Sequence, residues 1–161
     1  MRDRLSQREA TESDIPTLVQ HRRLMFEEIR ADRGETPKAA DLDAMESAYT
    51  SYIRVHLVDK TYKAWVVESG GKIIASGAVS VLTWPPGLGD TTERAALLHS
   101  MYTVPEYRRN GLATQIVLLA IEFCKSQRFK WIRLGTSEAG RPLYKSLGFR
   151  PIDGMLLSLS H

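Results

Sequence analysis

Apolar residues along this chain recur first at helical spacing, then at alternate positions, then at helical spacing again. Leu5 to Glu9 is short enough for an edge strand. Ser13-Asp14 opens a helix with Pro16 in its first turn, where proline is tolerated. Its stripe is Ile15, Leu18, Val19, Met25, Phe26 and Ile29. Arg22 interrupts the stripe, and Arg23, Glu27 and Glu28 lie off it. The pattern fades in the polar run Arg30 to Gly34. A second helix is expected from about Ala39 to Val58, with Leu42, Met45, Tyr49, Tyr52, Ile53 and Leu57 on its buried face. Tyr49 and Tyr52 read as core on that stripe.

The period then changes to two. Ala64 to Glu68 and Lys72 to Leu82 read as strands joined by Ser69-Gly70-Gly71, because paired glycines reach the positive φ of tight hairpins. Thr83 to Asp90, with two prolines and two glycines, breaks the pattern. Trp84 in that loop is either an anchor or a wall of a substrate site. Ala95 to Thr103 is the third strand of the meander. Strict alternation puts Leu97, His99, Met101 and Thr103 on one face and Leu98, Ser100 and Tyr102 on the other. A helix from Leu112 to Gln127 buries Leu112, Ile116, Leu119, Ala120 and Phe123, and Lys130 to Thr136 follows as a strand. Strand, helix and strand at this length make a right-handed crossover with parallel strands. A short helix after Ser137 stops at Leu147-Gly148. Phe149 to Ile152 and Met155 to Leu159 read as two closing strands. Repeats, low-complexity tracts and linkers are absent from the sequence.

The stretch Val104 to Ala113 joins a strand to a helix through a basic glycine turn. The first amides of a helix lack internal acceptors, and the helix dipole favours negative charge over them. Gly111 has no Cβ to hold a ligand off the backbone. Arg108 and Arg109 add positive charge. The stretch reads as a cradle for phosphate or pyrophosphate, or else as an ordinary turn.

Composition narrows the classes. At 161 residues, one domain with a substantial core is expected. Hydrophobic content of 43% and charged content of 25% are those of an ordinary globular protein. No apolar run approaches the about 18 residues of a membrane-spanning helix, and no signal peptide follows Met1, so a cytoplasmic location is expected. Cys124, alone and mid-helix, reads as a structural thiol. A net charge of +3 suits a small anionic ligand and is weak for nucleic acid.

Two motifs together resemble the GCN5-related N-acetyltransferase (GNAT) family. Arg108-Arg109-Asn110-Gly111-Leu112-Ala113, led by Pro105-Glu106-Tyr107, is similar to the family's acetyl-CoA motif. Leu143-Tyr144-Lys145-Ser146-Leu147-Gly148-Phe149 is similar to its second motif, and the element order resembles the family throughout. The resemblance implies an α/β (α+β) fold. Its mixed, mostly antiparallel sheet would have about six to seven strands flanked by about four helices, with a V-shaped splay between two central parallel strands. It implies coenzyme A as ligand. Backbone amides of Arg109, Asn110, Gly111, Leu112 and Ala113, with the Thr114 hydroxyl and Arg108, would hold the pyrophosphate. Met101, Tyr102 and Thr103 would pair with the pantetheine arm. Ser137 would either bond that arm or cap the short helix, and capping is the commoner role of serine.

The implied reaction is transfer of an acetyl group from acetyl-CoA to a primary amine. Tyr144 aligns with the family's proton donor to the leaving sulfur, and a phenol near its reference pKa of about 10 is protonated at neutral pH. The base is open. Leu97 to Met101 holds no carboxylate, leaving His99, Ser100, Glu27, Glu28, Glu93 or water. The acceptor is read as a small-molecule or peptide amine, with a protein N-terminus or lysine as the alternative, or a non-catalytic CoA-binding sensor. Nucleic acid, membrane and metal are not expected as partners, and a monomer or homodimer is. A nucleotide-binding loop would need a longer glycine-rich run followed by Lys and Ser or Thr, which the chain lacks.

Overall fold

The computed structural model describes residues 4–159. In chain order the elements are β1 (Leu5–Glu9), α1 (Ile15–Asp32), α2 (Ala39–Val58), β2 (Tyr62–Ser69), β3 (Lys72–Thr83), β4 (Arg94–Thr103), α3 (Leu112–Ser126), β5 (Ile132–Arg133) and α4 (Arg141–Ser146). Short 3-10 turns at Glu12–Asp14 and Pro105–Tyr107 precede α1 and α3. The five strands form one sheet in sequence order. The first four are antiparallel, and β4 and β5 are parallel across the α3 crossover.

Both faces of the sheet are covered. Val66 and Ala64 of β2 pack with Ile15, Leu18, Val19, Tyr49 and Ile53 from α1 and α2. Trp65 and Val67 of the same strand pack with Ile116, Val117 and Ala120 of α3. A strand buried on both sides reads as a continuous apolar run rather than an alternation. Gly70 and Gly71 close the β2–β3 hairpin at φ of 57° and 76°, the positive pair a tight primed turn needs. Arg8 of β1 donates to Asp14 at 2.7 and 3.0 Å and to Glu68 of β2 at 2.6 Å. This fork ties the start of α1 to the sheet edge and holds the Asp14 carboxyl below its ordinary range.

The third strand departs from strict alternation. Ser76 faces Tyr102 and Ala78 faces His99, so Ser100 and Met101 together oppose the single residue Gly77. That is a β-bulge, and Ser100 takes φ of 56° within it. Ser100 consequently bonds Arg22 of α1 and Tyr49 of α2, and His99 also faces Arg22. Met101 turns to the α3 side, packing against the core beneath that helix. The expectation that His99 and Met101 share a face is corrected by this extra residue.

Beyond β4 the sheet is smaller than the expected six to seven strands. β5 pairs only at Ile132 with Ala96 and Arg133 with Leu97, so the expected strand Lys130 to Thr136 is cut to two residues. Phe149 to Ile152 and Met155 to Leu159 form no strands. Their apolar pattern lacks a partner: β5 is too short to template another strand, Pro151 has no N–H to give, and a lone hairpin is marginal in water. Met155, Leu156, Leu157 and Leu159 are exposed as a result. At the other end, α1 runs on through Asp32, past the polar positions where its stripe fades.

Gly77 is where β3, the bulge and α3 meet. A Cβ there would stand 2.7 Å from Cγ2 of fully buried Ile116 and would also strike the Met101 sulfur. Met101 can move aside; a β-branched side chain on a packed helix cannot. Gly77→Ala should therefore destabilise the fold by about 1–3 kcal/mol, an overpacking cost. Urea denaturation would read this as a lower midpoint at unchanged slope.

Candidate active site

The strands β4 and β5 part after two paired positions, and the edge of β4 from Leu98 to Thr103 is left without a neighbouring strand. A cavity of about 870 Å³ occupies this opening. Its walls come from β4, the inner side of α1, the glycine turn with the first residues of α3, and the segment from Gly135 through α4.

The glycine turn is built for positive φ. Arg109 has φ of 61° and Gly111 φ of 75°. The Asn110 amide group donates to the carbonyls of Tyr107 and Arg108 at 3.0 and 3.1 Å, which fixes the turn. No side chain caps α3, and its first turn carries no acidic residue. The amides of Leu112, Ala113 and Thr114 therefore begin the helix without internal acceptors, and all three residues line the cavity. Arg109 lines it as well, with no side-chain partner among the described residues. Arg108 is more committed. Its Nε donates to the Thr103 carbonyl at 2.9 Å and its Nη2 to both oxygens of Glu28 at 2.7 and 2.8 Å.

Tyr144 reaches the opposite wall from α4. Its ring packs edge-on against Phe149 at 5.7 Å. Its hydroxyl has no hydrogen-bond partner among the described residues, and burial raises its pKa above the ordinary tyrosine value. The phenol therefore stays protonated at neutral pH with a hydrogen to give. The Ser137 hydroxyl accepts the Gly140 N–H at 3.2 Å in the turn before α4. Gly140 is the N-cap and no side chain caps the helix, so the expected capping role is corrected to a turn contact, while Ser137 also lines the cavity.

Among the expected cofactor contacts, Met101, Tyr102, Thr103, Arg108, Arg109, Gly111, Leu112, Ala113, Thr114 and Ser137 all border the one cavity, together with Tyr144. Asn110 does not, and shapes the turn instead. Trp84 is outside the cavity; Arg133 of β5 stacks on its ring at 4.7 Å, so it anchors its loop.

The candidate bases are constrained. Glu27 pairs with Arg23 at 3.0 Å and Glu28 with Arg108. Glu93 lies outside the cavity. His99 borders it, with Nε2 2.7 Å from the Ser80 hydroxyl and Nδ1 2.9 Å from the Ser100 hydroxyl. Arg22 faces Nδ1 at 3.4 Å and can only donate, which assigns Nδ1 as the acceptor and Nε2 as the protonated nitrogen. Burial, helped by the Arg22 charge, pushes the His99 pKa down to about 4. Neutral, doubly bonded His99 is a poor proton acceptor.

Sequence reasoning passed over two groups. His21 on α1 is buried, bonds the Ser76 hydroxyl at 2.7 Å and lies 4.9 Å from the Tyr102 ring. Arg22, the residue that breaks the α1 stripe, turns out to face the cavity. A cation on an apolar stripe is itself the signal that could have found it. Cys124 is a buried thiol with its pKa pushed up to about 11 by burial. Among the described residues no cluster has the ligands to hold a metal ion, and no helix is long and apolar enough to cross a membrane.

A model described as the acetyltransferase (GNAT) family matches residues 23–149. An N-acetyltransferase of Escherichia coli strain K12, YjgM, described as uncharacterized, is 30% identical over 159 residues, spanning 96% of this chain and 87% of that one. A predicted acetyltransferase from Clostridium acetobutylicum, solved with acetyl-CoA, superposes with a TM-score of 0.83 at 29% identity, over 96% of both chains. A GCN5-related N-acetyltransferase from Ralstonia eutropha JMP134 shares the fold with a TM-score of 0.87, over 97% of this chain and 99% of that one, at 24% identity. The chain belongs to the GNAT family of acetyltransferases.

His21 and His99 make folding pH-dependent. Both have folded pKa values of about 4, against an ordinary value of 6.5. Between those values the unfolded chain binds protons that the folded chain refuses, so stability present above pH 6.5 falls as pH drops toward 4. Each histidine contributes a slope of at most about 1.4 kcal/mol per pH unit. Urea unfolding of His99→Gln at pH 7 and pH 5 should show a smaller loss between the two than the parent protein.

Proposed function

We propose that this acetyltransferase uses acetyl-CoA as donor and the primary amine of a small molecule or peptide as acceptor. One observation carries the reading. The uncapped α3 amides, the open edge of β4 and the unpartnered Tyr144 hydroxyl all border one cavity. A pyrophosphate fits the first, an amide-bearing arm the second and a leaving sulfur the third. The donor set also fits in charge, since Arg109 is free to face an anion at the cradle. The Clostridium acetobutylicum relative with acetyl-CoA lends the same ligand by analogy.

When bound, acetyl-CoA supplies an activated acetyl group on a thiol that leaves readily. The protein's residues do the rest. The amides of Leu112, Ala113 and Thr114 bind the pyrophosphate. The β4 edge from Met101 through Tyr102 to Thr103 borders the pantetheine arm, with the backbone of Met101 and the Thr103 N–H on the side away from β3 and the Thr103 carbonyl already held by Arg108, aligning the arm along β4 as an added strand would be. Tyr144 holds a proton at its phenol oxygen for the departing sulfur. Glu28 is occupied by Arg108, and His99, with its pKa pushed down to about 4 and both ring nitrogens bonded, is a weak base, so neither takes the amine proton well. The acceptor enters as the neutral amine, and water removes its proton.

Substitutions at two positions separate these roles. Gly111→Asp places a carboxylate at the cradle and should weaken CoA binding on the order of tenfold. Gly111→Asn, which tolerates left-handed φ without charge, should weaken it less. Calorimetric titration with CoA reads both, and equal affinity in all three proteins would remove the pyrophosphate from this turn. Tyr144→Phe should lower kcat by about a hundredfold, the low end for a general acid, because a thiolate leaves tolerably unaided. CoA affinity should hold within about twofold. An unchanged kcat in a thiol-release assay with any turned-over amine would take Tyr144 out of the chemistry.

A further inference from the structure

Arg22 and Arg23 are adjacent on α1 and live in opposite surroundings. Arg23, on the outer side, is bonded by the carboxylates of Glu27, Asp43 and Glu46. Arg22, on the inner side, has no carboxylate partner among the described residues. Its guanidinium carbon lies over the Phe26 ring at 4.9 Å and over the Tyr49 ring at 4.7 Å. Nη1 donates to the Ser100 hydroxyl at 2.7 Å. Nε is buried without any hydrogen-bond partner, and Nη2 has none among the described residues either. One whole edge of the fork is thus unused, in a residue that lines the cavity.

An unpaired cation held away from water is costly unless something pairs with it. The two acids that border the cavity do not serve. Glu28 is taken by Arg108, and Asp32 makes no ion pair with Arg22. An anion arriving with the ligand would satisfy this edge. With Phe26 and Tyr49 against the guanidinium and Nη1 taken by Ser100, the unused approach is along the Nε–Nη2 edge. There Nε–H and Nη2–H point in parallel, which matches the two oxygens of a carboxylate. A dianionic phosphate would want a second cation. His99, the nearest titratable neighbour, is neutral and turns an acceptor nitrogen toward Arg22.

We propose that the acceptor is an amino carboxylate, whose carboxylate is bound side-on by Nε and Nη2 of Arg22 while its amine is directed toward the acetyl group. This rests on the acetyl-transfer reading above and specifies its acceptor. Phe26 and Tyr49 position the fork, and Ser100, turned toward α1 by the bulge, sets its rotation through Nη1. The selected substrate class is free amino acids and related small amines bearing a carboxylate, in preference to amines of equal size that lack one.

The test uses matched acceptors: alanine and alaninamide, 4-aminobutyrate and 4-aminobutanamide, and phosphoethanolamine with ethanolamine. With acetyl-CoA and a free-thiol readout, kcat/KM should favour the carboxylate members by at least about tenfold, carried mainly by KM. Arg22→Met keeps an unbranched apolar stem against the rings and should bring the pairs within about twofold of each other, with CoA affinity unchanged. Arg22→Lys, which keeps the charge and loses the fork, should retain part of the preference, and it carries the comparison if the Met variant fails to fold by circular dichroism. Indifference of the wild type within the pairs, or a preference that survives Arg22→Met, overturns the inference. An Arg22-dependent preference for phosphoethanolamine overturns the carboxylate assignment. Calorimetric titration of alanine and 4-aminobutyrate into the CoA-loaded protein is independent of turnover. If no amine is acetylated, the transfer reading fails. Carboxylate binding that Arg22→Met abolishes would then still uphold the Arg22 site, and binding that is absent, or equal in both proteins, would sink it.

Discussion

The extra residue in β4 is the constraint on which the site depends. Because Ser100 and Met101 together oppose Gly77, the strand twists locally and its two halves present different faces. The first half pairs briefly with β5; the second does not. The bulge also sends Met101 under α3 and His99 with Ser100 toward α1. It leaves backbone of β4 open on the cavity side and puts the Ser100 hydroxyl within reach of Arg22. Gly77 permits this arrangement, since no other residue would let Met101 and Ile116 come so close to β3. An open strand edge is ordinarily a liability, offered to any passing chain. Here it is walled in by α1 on one side and by α4 and the Gly135 segment on the other, so only a slender ligand can use it.

The parts of this arrangement that were legible in the sequence are those encoded locally. The two long helices, the hairpin at Gly70-Gly71, the crossover and the glycine turn each depend on neighbours within a few positions. The turn could be read because Gly111 sits directly before a strongly apolar helix. Tyr144 could be read only through its motif, since nothing in a six-residue helix marks one ring as facing a cavity. The bulge left no periodic trace, because one inserted residue in a strand of ten resembles noise in an alternation. The closing strands erred the other way. Phe149 to Leu159 has the apolar content of strands, but pairing requires a partner edge, and the two-residue length of β5 cannot be read from Lys130 to Thr136 alone. His21, buried against Ser76 and Tyr102, depends on contacts more than fifty residues away along the chain and left no local signal.

Helix α1 ties the two ends of the site together. Its inner side carries Arg22 beside Ser100, and, farther along, Glu28 on Arg108 at the cradle. The Glu28–Arg108 pair is about two-fifths exposed on each side, so it contributes on the order of 0–1 kcal/mol to stability. Its value is geometric. Arg108 bonds the Thr103 carbonyl and Glu28 at once, which locks the end of β4, the glycine turn and α1 into one relative position. A shift of α1 would therefore move the Arg22 guanidinium and strain the glycine turn together. Arg108 is best understood as a brace that holds the helix over the strand, leaving Arg109 and the α3 amides free for the proposed pyrophosphate. The same reasoning explains why the cavity tolerates three arginines. Arg108 is ion-paired within the protein, Arg109 is exposed, and half-buried Arg22 has no carboxylate partner among the described residues, which is why the proposed acceptor carries the anion.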